Sequence, residues 1–147
     1  MKANLENTTV RDISYLINTA CLRADSETSL EKLAGMLCTS DRYKIYLESK
    51  NGTLCGVIQA KQIAMKILEL SRSKSEQQEM LPAITYVLNA HTATELADPA
   101  VTVQSTALLK DVLELMNRNE IREIAVVDEH GVLVGTLEAR NILAHYL

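Results

Sequence analysis

The chain has 147 residues, 47% hydrophobic and 23% charged, with a net charge of −4 and an isoelectric point near 5.4. This balance is that of a folded globular chain and excludes the basic stripe of a nucleic-acid surface, while the absence of Phe and Trp removes the stacking platforms of single-strand binders. No stretch approaches the roughly 18 apolar residues that a bilayer span needs, and the polar opening MKANLENTTV holds no secretory hydrophobic region.

Cys21, Cys38 and Cys55 are odd in number and form no C-x-x-C pair, so the expectation is reduced thiols in a cytoplasmic protein. His91, His130 and His145 stand at no zinc-like interval from them, and no metal site is expected. Beyond an approach between Asp12 and Leu22, the residues Leu30, Leu33, Ala34 and Leu37 have i, i+3, i+4, i+7 spacing, which predicts one apolar stripe on a helix. Ser26 stands where a cap for that helix is expected. Lys44 to Leu47 reads as a strand, Ser49-Lys-Asn-Gly52 as a hairpin turn, and Leu54 to Ile58 as the return strand. Ile63, Ala64, Ile67, Leu68 and Leu70 carry a helix to about Ser71, where a polar break begins. A second helical piece is expected from near Pro82, carrying Ile84, Val87 and Leu88, or from an earlier capping box of Ser75 and Gln78.

The remainder repeats what came before. An offset of 79 residues lays Gly52 to Ile63 over Gly131 to Ile142 without a gap, matching both glycines of each segment, Leu54 with Leu133, and Ala60 with Ala139. Upstream, the same offset places Leu109, Val112, Leu113 and Met116 on the first stripe and Ser105 on Ser26. Glu123 to Val127, Asp128 to Gly131 and Val132 to Val134 then give strand, turn and return strand. Each unit therefore runs strand, helix, strand, turn, strand, helix, and two such small units are expected to share a core. The expected boundaries are 1–72 for the first unit with its approach segment, 73–92 for a helical connection, and 93–147 for the second unit.

Three segments of the second unit closely resemble a CBS domain: Asp98 to Val103 as leading strand, Asn119 to Asp128 around the central strand, and Gly131 to Leu143 as closing hairpin and helix. The first unit, Val10 to Ile67, is similar but more diverged, so the chain resembles a tandem CBS pair, or Bateman module. The resemblance implies an α/β (α+β) fold of two β-α-β-β-α units packed with pseudo-two-fold symmetry around two clefts. It also implies regulation rather than catalysis, a homodimer, and adenosyl compounds (AMP, ADP, ATP or S-adenosylmethionine) as regulatory ligands. A regulated partner protein is a further implication. No catalytic residue and no cofactor beyond such a ligand are expected; no P-loop, dinucleotide fingerprint, H-E-x-x-H or nucleophile elbow occurs.

The ligand signature of such domains is a Thr or Ser ending the last strand, a basic residue two positions on, and an Asp opening the helix. Here the corresponding residues are Gln59, Lys61 and Gln62 in the first unit and Glu138, Arg140 and Asn141 in the second. The basic residues are kept, both hydroxyls are missing, and amides replace both carboxylates. An amide still offers donor and acceptor to a ribose, without the charge-assisted bonds of a carboxylate. The resemblance groups Gln59 and Gln62 with Arg122 and Arg140 in one cleft, and Glu138 and Asn141 with Tyr43 and Lys61 in the other. Its two guanidiniums make the first the better anion site. The alternative is a ligand-free dimerisation or scaffold module that has lost nucleotide binding.

Overall fold

A computed structural model describes residues 4–73, 88 and 92–147, which divide into two compact units: one of residues 22–99, the other of residues 1–21 together with 100–147. In the unit of residues 22–99 the order is β1 (Arg23–Asp25), α1 (Leu30–Cys38), β2 (Lys44–Glu48), β3 (Leu54–Gln59), α2 (Ala60–Ser73) and a short α3 (Ala93–Leu96). The other unit opens with a 3-10 helix (Arg11–Leu16) and continues as β4 (Thr102–Val103), α4 (Leu109–Arg118), β5 (Glu123–Val127), β6 (Leu133–Glu138) and α5 (Ala139–His145). Both thus contain β-α-β-β-α, the mixed α/β arrangement expected.

The two sheets are built alike. β1 lies parallel to β2 and β2 antiparallel to β3, and β4, β5 and β6 repeat that order. Even the irregularity recurs, with a register shift at Leu47/Glu48 in one hairpin and at Val126/Val127 in the other. Gly52 and Gly131 close these hairpins at φ of +86° and +81°, a left-handed conformation that costs a glycine little. In the second turn the Asp128 carboxylate accepts the N–H groups of His130 and Val132. Those bonds, the Val132 one foremost, hold its pKa below the usual carboxylate value.

Each sheet covers one apolar core. Leu30, Leu33 and Leu37 of α1 pack with Ile45, Leu47, Ile58, Ile63 and Ala93, and Leu88 lies partly buried against them. In the other unit Leu109, Val112 and Met116 of α4 pack with Ile124, Val126, Leu137 and Ile142, joined by Val10 and Ile13 from the chain's beginning. The i, i+3, i+4, i+7 stripes face inward as their spacing requires.

Three details differ from the sequence expectation. The first concerns the boundaries: residues 1–21 do not belong with the first unit, nor residues 93–99 with the second. Val10 and Ile13 are wholly buried in the core beneath β4–β6, and Asn18 exchanges backbone hydrogen bonds with Thr136 of β6, at 2.8 and 2.9 Å. Asp98 does the same for Val57 of β3, at 2.9 and 3.0 Å, so the expected leading strand shortens to Thr102–Val103. Each bridge covers backbone groups of the outer strand that would otherwise be left open. The second difference concerns the caps. Ser26 and Ser105 do not cap; α1 is capped by Ser29, whose hydroxyl accepts the Lys32 N–H at 3.3 Å, and α4 begins after Leu108 with no side-chain cap. Ser26 and Ser105 lie one turn too early, where their backbones are already committed: Ser26 N–H to Glu48 and Ser105 C=O to Arg11 N–H. The third is the helix leaving the first unit, which runs past the expected break at Ser71 to Ser73. The expected helical piece from Pro82, with Ile84 and Val87, lies outside the described residues, as do Ser75 and Gln78.

Candidate functional site: the two strand-to-helix corners

The candidate residues gather where the last strand of each sheet turns directly into a helix. In the unit of residues 22–99 the corner is β3 to α2. Ala60 N–H donates to the Tyr43 carbonyl at 3.2 Å, which fixes the start of α2 beside the start of β2, and Lys44 pairs with Gln59 across the strands. Tyr43, Gln59, Lys61 and Gln62 therefore share this corner. Lys61 is exposed, and the Lys44 ammonium stands 5.6 Å from the centre of the exposed Tyr43 ring, within range of a cation–π contact.

The second corner repeats the geometry. Ala139 N–H donates to the Arg122 carbonyl at 3.0 Å, and Glu123 pairs with Glu138. Arg122, Glu138, Arg140 and Asn141 meet here. The two corners differ electrostatically: around the first stand Lys44 and Lys61, around the second two arginines and two glutamates. Glu138 meets the Arg140 guanidinium in a two-point pair, 2.6 Å to Nε and 3.4 Å to the terminal nitrogen, with the Arg140 side chain 78% exposed. Arg122 is exposed and borders an open groove of about 510 Å³ whose apolar wall includes Leu113, Met116 and Ile121.

The amide at the third helical position does the same work in both corners. Gln62 Oε1 accepts the Gln59 N–H at 2.6 Å, and Asn141 Oδ1 accepts the Glu138 N–H at 3.1 Å. This is one arm of a capping box, satisfying a donor that the strand-to-helix change leaves without a ladder partner. Gln62 goes further: its Nε2 donates to the Leu96 carbonyl at 2.9 Å and to Asp98 Oδ2 at 3.0 Å. Sequence reading missed Leu96 and Asp98 as neighbours of this site. The available signal was Gly56, a glycine inside a strand: a Cβ there would stand 3.1 Å from the Asp98 carbonyl oxygen.

His130 lies exposed in its turn beside Glu129, and His145 Nδ1 shares a 2.7 Å hydrogen bond with the Tyr15 hydroxyl. Among the described residues no three His, Cys, Asp or Glu side chains are grouped to hold a metal ion, and no helix is long and apolar enough to cross a membrane.

Residues 93–147 match the CBS domain family. A curated relative, an uncharacterised 33.4 kDa protein in a ribosomal RNA operon of Thermofilum pendens, is 42% identical over 45 residues, 31% of this chain and 15% of that protein. The chain thus matches only a small part of that relative's length. Among solved structures, the CBS domain of the bacterial CNNM/CorC family Mg2+ transporter in complex with ATP is similar at a TM-score of 0.68 and 19% identity, covering 97% of this chain and 89% of that one. CBSX2 in complex with AMP gives a TM-score of 0.65 at 23% identity, covering 94% and 95%. These likenesses are ones of fold.

Proposed function

From a CBS domain in residues 93–147 and a second unit of the same fold before it, we propose that the chain is a non-catalytic regulatory module of the cytoplasm. It binds an adenosyl compound of the AMP, ADP, ATP or S-adenosylmethionine class and passes that state to a partner protein or to its own oligomer. The observation that carries the reading is the second corner, where Arg122, Arg140 and Asn141 gather at the strand-to-helix turn of the segment that matches the CBS family. Proteins of the same fold with AMP and with ATP bound support it. The resemblance assigns Arg122 and Asn141 to different clefts, but both stand at the second corner, and in this reading Arg122 is the anion contact and Asn141 the sugar contact. Neither corner offers a nucleophile paired with a base, which favours sensing over turnover.

A ligand that binds only the folded form raises its apparent stability. Thermal unfolding with AMP, ADP, ATP and S-adenosylmethionine should therefore show an upward shift with at least one of them. Arg122→Ala should weaken that ligand by about ten- to a hundred-fold in calorimetric titration, the worth of one charge-assisted contact. No shift with any of the four would remove the sensor reading and leave the ligand-free scaffold, which the mutual neutralisation of Arg140 and Glu138 favours.

The module also acts as a homodimer in this proposal. Met65 and Leu68 of α2 are large apolar side chains left exposed in one unit, and Leu143 of α5 is 61% exposed in the other; pairing of copies is one way such apolar surface is covered. Sedimentation at tens of micromolar should give twice the chain mass, because specific interfaces persist in that range; a monomer there would count against the pairing.

A further inference from the structure

The two corners share a fold but not the state of their amides. Gln62 spends three of its four hydrogen-bonding positions inside the chain: Oε1 takes the Gln59 N–H, and both Nε2 hydrogens go to Leu96 O and Asp98 Oδ2. Asn141 spends one, on the Glu138 N–H, and its Nδ2 donates to none of the described residues. The segment that reaches β6 provides no counterpart to Asp98, because the Asn18 side chain turns back to accept the Ala20 N–H at 2.9 Å.

Residues 92–98 also meet the rest of their unit at three other points. Thr94 Oγ1 donates to the Ser26 carbonyl at 2.6 Å, Ala93 N–H donates to the Thr28 carbonyl at 3.2 Å, and Asp98 bridges Val57 in both directions. Toward Leu96 O, Asp98 Oδ2 and the Gln59 N–H, the side chain at position 62 donates twice and accepts once. A carboxylate could do neither donation and would face Asp98 with like charge. That is a physical reason for an amide at this position.

We propose that Gln62 is a clamp on the chain's own segment, so that Leu96 and Asp98 occupy the first corner from within, and that the hydroxyls of an adenosyl ligand are taken by Asn141 at the second corner. The inference rests on the adenosyl-sensor reading for its ligand and on the hydrogen bonds of Gln62 alone for its clamp. Gln62 is a positioning residue here, and Asn141 a contact residue.

Wild type, Gln62→Ala and Asn141→Ala separate the two roles when each is titrated with AMP and followed by amide hydrogen exchange. Gln62→Ala is expected to keep its AMP affinity within about twofold of wild type while the Val57 and Asp98 amides exchange at least tenfold faster. Asn141→Ala is expected to do the reverse, weakening AMP by about tenfold, the worth of roughly one hydrogen bond, with the Val57 and Asp98 amides unchanged. A loss of AMP affinity in Gln62→Ala equal to that in Asn141→Ala would overturn the assignment, as would unchanged exchange at Val57 and Asp98 in Gln62→Ala. If none of the three proteins binds AMP, ADP, ATP or S-adenosylmethionine, the hydroxyl contact at Asn141 falls together with the sensor reading, and the exchange rates still decide the clamp.

Discussion

By the CBS resemblance Glu138 takes the position of a phosphate-facing hydroxyl, and the structure gives it an occupation of its own. It holds the Arg140 guanidinium in a pair whose arginine side is 78% exposed, the kind of contact worth about 0–1 kcal/mol. So weak a pair yields readily to a phosphate, but Glu138 then remains beside the anion. Glu138→Ala should release Arg140 and strengthen AMP binding by about fivefold, read by calorimetry beside wild type; weaker binding in that variant would instead make Glu138 a ligand contact. The amides at 62 and 141 were legible in the sequence as departures from the family's carboxylate. The Asp98 neighbour that gives Gln62 its extra work was not, since it arrives from 36 residues away.

Among the elements, the glycines inside β3 and β6 mark where the crossing segments meet the sheets. A Cβ on Gly135 would fall 2.6 Å from both the Asn18 carbonyl oxygen and Ile17 Cγ2, whereas one on Gly56 would meet the Asp98 oxygen at 3.1 Å. Both glycines face backbone, but 2.6 Å forces a shift where 3.1 Å asks only for a few tenths of an ångström, so Gly135→Ala should destabilise by about 1–3 kcal/mol, the usual cost of overpacking, and Gly56→Ala by less. Urea unfolding of both variants measures this, and equal losses would contradict it. The β-α-β-β-α order of both units, both inner helix stripes and both hairpins could be read from the sequence because their signals are local: spacing, turn glycines and β-branched runs. Helix caps at Ser26 and Ser105 were misplaced by one turn, since both serines match in the repeat and nothing local shows that their backbones are engaged elsewhere. Membership of residues 1–21 and 93–99 could not be read at all, because a segment's sequence seldom records which sheet edge it will cover.

For the molecule as a whole, this exchange decides which fragments can stand alone. Residues 22–99 contain every described element of their unit and should show a cooperative urea transition by circular dichroism. Residues 93–147 lack Val10 and Ile13, both wholly buried in the core they would have to complete. Emptying two such sites costs about 2–5 kcal/mol each, comparable with the 5–15 kcal/mol that holds a typical domain together. That fragment should unfold without a sharp transition unless residues 1–21 are restored to it, and a cooperative transition from residues 93–147 alone would contradict the assignment.

The same interleaving bears on what happens when the backbone is broken. A cut after residue 80 yields two pieces, each holding something that belongs to the other: residues 1–21 go with the first but complete the unit of 100–147, and residues 92–99 go with the second but complete the unit of 22–73. Separation would require both hostages to be given up at once, so a nicked protein should travel as one particle through a sizing column and reveal its two fragments only on a denaturing gel.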